Sequence, residues 1–197
     1  MINYNKVFYN KQIKKNFNKN YKIVGWGSKR SQEIRFKNII KYFDKDQFSV
    51  LDIGCGLGDF YKFLKSKKIK FKYTGLDLNK FFIEECKKKY KSANFINTNF
   101  LNFKFKTKPD YIITSGSLNL PQDNYELFFK KVINKMYKNC NEKCIFNVLS
   151  GSSKKIYPFS AYADISKLSK FIDGISNYYL IDKSYLKHDI SIILSKK

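Results

Sequence analysis

The 197 residues carry a formal net charge of +23 and are 43% hydrophobic and 18% aromatic. So large an apolar and aromatic share excludes a disordered chain and suits one domain with a full core. The charge admits a polyanion partner, yet of the 39 basic residues all but Arg30 and Arg35 are lysines, which lack the bidentate fork of dedicated phosphate and base readers.

Residues 1–24 are polar, aromatic and lysine-rich, without a clean period. With the turn signal GWGS at 25–28 they set off an N-terminal arm (1–30) that packs on or lids a domain covering 31–197. The stretch 31–43 has Ile34, Ile39, Ile40 and Phe43 near helical spacing, with Ser31 as its N-cap. Short apolar strands at 48–54, 71–77, 94–100, 110–116 and 144–150 alternate with helical patterns at 59–68, 79–90 and 123–139, the last led by Asp123. After an irregular segment (151–164) comes a helix at 165–175 capped by Asp164, then strands at 178–184 and 188–195. Alternation with short connections predicts an α/β fold: a Rossmann-like, doubly wound, mainly parallel sheet of seven strands. The three residues between the last two strands cannot make a parallel crossover, so that pair is an antiparallel hairpin.

No stretch approaches the roughly 18 apolar residues of a membrane span. The first residues lack a secretory apolar core, which predicts a cytoplasmic protein. Four scattered cysteines give no disulfide framework, and with His188 as the sole histidine no zinc site is expected.

The informative stretch is VLDIGCGLGDF, residues 50–60, with Gly54, Gly56 and Gly58 leaving the first strand. A P-loop needs Lys-Ser/Thr after its glycines, and Asp59-Phe60 stands there. The dinucleotide fingerprint fits Gly54 and Gly56, but its third glycine falls on Asp59, an anion where a pyrophosphate would lie. S-adenosylmethionine has no phosphate and carries a positive sulfonium, so acidic residues around the loop suit it. Asp77, ending the second strand, stands where a carboxylate can accept from both ribose hydroxyls, and Leu78 offers the adenine an apolar face.

With VLDIGCGLG, GLDLN, the strand-end segments NTNF and TSGS, and the terminal hairpin, the chain resembles the class I S-adenosylmethionine-dependent methyltransferases over about residues 20–197. GWGSKRSQEIRF and YLKHDISIIL are similar to a group of small bacterial-type members without assigned substrates. The resemblance implies S-adenosyl-L-methionine as cofactor. Asp52 would bind its methionine ammonium, Gly54, Cys55 and Gly56 would lie along it, and Asp77 would hold its ribose. Asn99, followed by Phe100, replaces the family's usual adenine-binding Asp, so adenine recognition is expected to be weakened. Ser115 would face the methionine moiety and Arg35 its carboxylate.

Methyl transfer needs in-line placement of a nucleophile, exclusion of water and, for an alcohol or amine, a proton acceptor. His188 and Asp189, opening the antiparallel last strand beside the ends of the parallel ones, are the candidates. Trp26, Ser117, Asn119, Tyr157 and Tyr162 are candidates for the acceptor side, the last two within an expected lid at 151–164. The fourth strand ends in SGSLNLP, without the Asn/Asp-Pro-Pro-aromatic signature of base or glutamine methylation, and no Pro-Cys pair supports cytosine C5 chemistry. The expected acceptor is therefore an O or N nucleophile of a small molecule. The alternatives are an RNA-directed methyltransferase using the lysine-rich surface and a catalytically silent adenosylmethionine-binding module.

Overall fold

In the computed structural model, which describes residues 9–13, 19–151 and 160–196, the strands are β1 (Gln47–Ile53), β2 (Lys70–Asp77), β3 (Asn94–Asn97), β4 (Tyr111–Ser115), β5 (Lys143–Ser150), β6 (Tyr162–Ala163), β7 (Tyr179–Leu186) and β8 (Asp189–Ser195). They form one sheet in the order β3-β2-β1-β4-β5-β8-β7, with β6 paired to β5 off that path. Pairing is parallel from β3 through β5, while β8 runs antiparallel to both β5 and β7. The helices are α1 (Asn20–Ile23), α2 (Lys29–Ile40), α3 (Asp59–Lys65), α4 (Lys80–Lys89), α5 (Tyr125–Asn139) and α6 (Ile165–Asp173).

Successive strand residues point to opposite faces, so neighbours in the apolar runs divide between two cores. Val50, Ile113, Ile145 and Ile193 pack with Phe36 and Ile39 of α2 and Phe60 and Leu64 of α3. Leu51, Ile112, Phe146 and Ile192 pack with Val132, Ile133 and Met136 of α5 and with Leu168 and Ile172 of α6. Each such side chain stabilises the fold by roughly 1.5–3 kcal/mol when fully buried. This is the doubly wound arrangement expected from the alternation, with its C-terminal antiparallel pair. Strand order reverses between β1 and β4, where a crevice opens at the carboxyl ends of the strands.

Four local expectations are corrected. The sheet has an eighth strand, because Tyr162 and Ala163, within the segment expected to be irregular, pair with Leu149 and Ser150. Helix α2 starts earlier: Ser28, in extended conformation, accepts the Ser31 N–H through its side chain and is the N-cap in place of Ser31. Helix α5 begins at Tyr125 after Asn124 in the left-handed region, leaving Asp123 outside. Strand β3 stops at Asn97, and Asn99 instead caps a 3-10 turn (Phe100–Asn102) by accepting the Leu101 N–H at 2.9 Å.

Candidate active site

The glycine turn is built by backbone requirements. Gly54, Gly56 and Gly58 have φ of +73°, +55° and +75°, a left-handed region that costs other L-residues roughly 1–2 kcal/mol each. Space forbids a side chain as well: a Cβ on Gly54 would lie 2.6 Å from Ser117 Cβ, and one on Gly56 2.8 Å from Val24 Cγ1. The amides of Gly54 and Cys55 both donate to the Leu76 carbonyl, tying the turn to the end of β2. One oxygen of Asp77 accepts the Gly56 N–H at 2.9 Å and the other the Asn79 N–H at 2.8 Å. Each oxygen keeps a lone pair for a ligand hydroxyl. Burial raises the Asp77 carboxyl, and these backbone donors oppose the rise.

Asp52 is buried at the end of β1 and accepts the Tyr73 hydroxyl at 2.6 Å. Burial pushes its carboxyl up to about 7, Asp77 adds to the rise and the Tyr73 donor opposes it. Burial and contact with Cys86 hold the Cys55 thiol protonated, so it fills the loop. Asp59, the residue that spoke against a pyrophosphate, accepts from Asn20 Nδ2 at 3.4 Å and Gln32 Nε2 at 3.0 Å. It thereby draws α1 and α2 onto the start of α3. Val24 against Gly56, and Tyr9 edge-on to Phe82 at 5.3 Å, bring further arm residues over the turn.

A cleft of about 1500 Å3 runs along the carboxyl edge of the sheet. It exceeds the roughly 300–1,000 Å3 that accommodates one drug-sized ligand. Asp52, Gly54, Cys55, Gly56, Asp77 and Leu78 line one half, and Asn99 and Phe100 extend it beyond β3. Ser115, Ser117, Asn119, Trp26 and His188 line the other half, over β4, β5 and the start of β8. The Ser115 hydroxyl is buried there without a hydrogen-bond partner among the described residues. The Asn119 side-chain carbonyl accepts the Leu149 N–H at 3.0 Å, joining the turn after β4 to β5.

Several expected roles are corrected by these contacts. Arg35 is not a surface cation: it lines the cleft with its guanidinium engaged by the protein. It is 4% exposed, and its Nε, 2.7 Å from Asp189 Oδ2, and one Nη both donate to that carboxylate, while the other Nη donates to the Ser31 carbonyl. Asp189 is 1% exposed, is absent from the cleft wall and also accepts from Asn147 and Tyr185, so it is committed to an ion pair and is no proton acceptor. Tyr162 stands on β6 and does not line the cleft. Tyr157 lies outside the described residues.

Sequence reasoning missed Tyr73 and Asn147. Tyr73 could have been found from register, since Asp52 pairs with Gly75 and Tyr73 is the same-face residue two positions before it. Asn147 gives no such signal, because it sits in an otherwise apolar run whose polar partners come from distant segments.

A methyltransferase-domain family model matches residues 44–189 of the chain. A Mycobacterium tuberculosis protein named as a methyltransferase, Rv1506c, is 23% identical over 137 residues, covering 68% of this chain and 74% of its own length. The N-methyltransferase NodS from Bradyrhizobium japonicum, crystallised with S-adenosyl-L-homocysteine, superposes with a TM-score of 0.70 at 13% identity, over 95% of this chain and 97% of its own. Magnesium protoporphyrin IX methyltransferase from Synechocystis, also with S-adenosylhomocysteine bound, gives 0.64 at 12% identity, over 90% and 85%. With more than half its length matched, the chain belongs to the methyltransferase-domain family and is a class I S-adenosylmethionine-dependent methyltransferase.

Proposed function

We propose that the chain transfers the methyl group of S-adenosylmethionine to an oxygen or nitrogen nucleophile of a small molecule. The residues present fit this cofactor: the cleft-lining backbone of Gly54 and Gly56, Asp77 with a lone pair left on each oxygen, and the buried Ser115 hydroxyl with no partner among the described residues. The cofactor supplies an electrophilic methyl on a positive sulfur. Asp77 would hold the ribose, Asp52 the ammonium, and Leu78, Asn99 and Phe100 the adenine. The acceptor would enter over β4 and β5 beside Trp26, Ser117 and Asn119, with His188 at the rim to take a proton. The arm, residues 1–30, would close over the cofactor half through Val24 and the Asp59 contacts.

What carries the small-molecule reading is the composition of the cleft wall. Among the described residues only Lys22 and Lys80 of the many lysines line it. Other lysines are occupied elsewhere: Lys135 donates to the Leu101 and Phe103 carbonyls, and Lys45 bridges Asp110 and Glu142. Magnesium protoporphyrin IX methyltransferase, similar in fold, is named for a small-molecule substrate. Calorimetry with S-adenosylhomocysteine tests the cofactor, and no binding at millimolar ligand would refute the enzyme. Titration with unstructured RNA at rising salt tests the acceptor class. The small-molecule reading expects weak, steeply salt-sensitive RNA binding that leaves cofactor affinity unchanged, whereas RNA that tightens cofactor binding would transfer the assignment to RNA.

A further inference from the structure

Five residues from separate parts of the chain close a circuit around the end of β4. The Gly116 N–H donates to Asn147 Oδ1 at 3.1 Å, and Asn147 Nδ2 donates to Asp189 Oδ1 at 2.9 Å. Asp189 pairs through its other oxygen with Arg35, whose guanidinium carbon lies 4.6 Å from the centroid of the Trp26 ring. Trp26 returns to the start: a Cβ on Gly116 would stand 2.7 Å from Trp26 Cη2. Gly116 has φ +82°, so both its backbone and the indole require glycine.

A buried ion pair is weak evidence for stability, because well-packed apolar side chains serve a core equally well. This one orients its neighbours. Asn147 presents its carbonyl to an N–H and its amide to a carboxylate, which fixes it in one orientation. Arg35 donates through Nε and one Nη to Asp189 while its guanidinium carbon sits over the Trp26 ring, a combination that lysine cannot reproduce. We propose that Asn147, Asp189 and Arg35 are positioning residues that lock Trp26 against the Gly116 turn. The indole and the turn then form one fixed wall on the acceptor half of the cleft. The location of that half rests on the proposed function above; the locking does not.

Trp26 is the sole tryptophan, so intrinsic fluorescence reads it directly. In Asn147→Ala, which removes a side chain one step away from the indole, acrylamide quenching of Trp26 is expected to rise about twofold or more as the Gly116 donor loses its acceptor. Arg35→Lys keeps the charge and should loosen Trp26 likewise. S-adenosylhomocysteine should change the emission of the wild type, and that response should be lost in Asn147→Ala while calorimetric affinity stays within about threefold, since Asn147 is remote from Asp77. Unchanged quenching in either folded variant, or a retained response, would overturn the proposal. Should both variants fail to fold, Trp26→Ala, at a half-buried position, gives the reciprocal test. Hydrogen exchange at the Gly116 amide is expected to accelerate about tenfold or more on loss of the indole, and unchanged exchange refutes the lock. Failure of the wild type to bind S-adenosylhomocysteine would refute the cofactor reading but leave the quenching and exchange comparisons decisive for the wall.

Discussion

The Tyr73 hydroxyl donates to Asp52 at 2.6 Å from the neighbouring strand, two residues before the register partner of Asp52. That single donor does not offset burial, and the Asp52 carboxyl is pushed from 3.8 up to about 7. The folded protein thus holds this proton more tightly than the unfolded chain. The contribution of Asp52 to stability is therefore fully present below about pH 4 and is lost as pH rises towards 7. An ammonium bound by Asp52 requires the carboxylate, so cofactor affinity runs the opposite way. Affinity for S-adenosylhomocysteine is expected to fall by up to about tenfold per unit as pH drops below 7, and to level off above it. Asp52→Asn should bind more weakly and without that slope. Calorimetry from pH 5.5 to 8.5 checks this, and an equal slope in the variant would remove Asp52 from ammonium binding.

Gly56 separates two costs that usually act together. Its left-handed backbone penalises alanine by roughly 1–2 kcal/mol. A Cβ would also meet Val24 Cγ1 at 2.8 Å. Gly56→Ala should therefore lose more stability than backbone strain alone, and adding Val24→Ala should recover the excess. Denaturant unfolding of the four proteins in this cycle gives the coupling directly. Strict additivity would show that the arm does not lie against the turn in solution.

Asp77 shapes the loop as well as meeting the ligand, because Gly56 and Asn79 both donate to it. Asp77→Asn keeps one acceptor oxygen and turns the other position into a donor facing an N–H. Loss of charge-assisted bonds worth about 1.5–3 kcal/mol each predicts an S-adenosylhomocysteine affinity lower by roughly a hundredfold. Asp77→Ala should add a fall in melting temperature, since two part-buried loop amides lose their acceptor. Affinity within a few-fold of wild type in Asp77→Asn would exclude Asp77 as a ribose ligand.

The sheet and the glycine turn were legible because their causes are local. VLDIG and YIITS are apolar runs buried on both faces, and three glycines in five positions require unusual backbone whatever surrounds them. Asp77 was legible from its place after a strand. Arg35 and Asp189 were assigned separate roles because 154 residues separate them, and only the sheet order, with β8 beside β5, brings β8 under α2. Asn99 was placed at a strand end, but nothing local distinguished a strand from the 3-10 cap it forms with Leu101, and it lines the cleft from there. Charges whose partners are distant in sequence stay ambiguous until topology pairs them.

Asp59 makes the arm testable without touching the cofactor's carboxylate partners. Its two oxygens accept from Asn20 in α1 and Gln32 in α2, so it links three segments that share no backbone ladder. Asp59→Ala removes both acceptors while leaving the first turn of α3 with good helix propensity. Global stability is expected to fall by about 1–3 kcal/mol, because the Gln32 amide, only 4% exposed, is left without its acceptor while the half-buried Asn20 amide can turn to water. The arm should respond more strongly than the core. Limited trypsin cleavage at Lys19 or Lys22 is expected to accelerate several-fold in Asp59→Ala, and S-adenosylhomocysteine to protect those bonds less than in the wild type. Equal cleavage rates, with and without ligand, would mean that the carboxylate does not fasten the arm, and its closure over the cofactor half would have to rest on Val24 and Tyr9 alone.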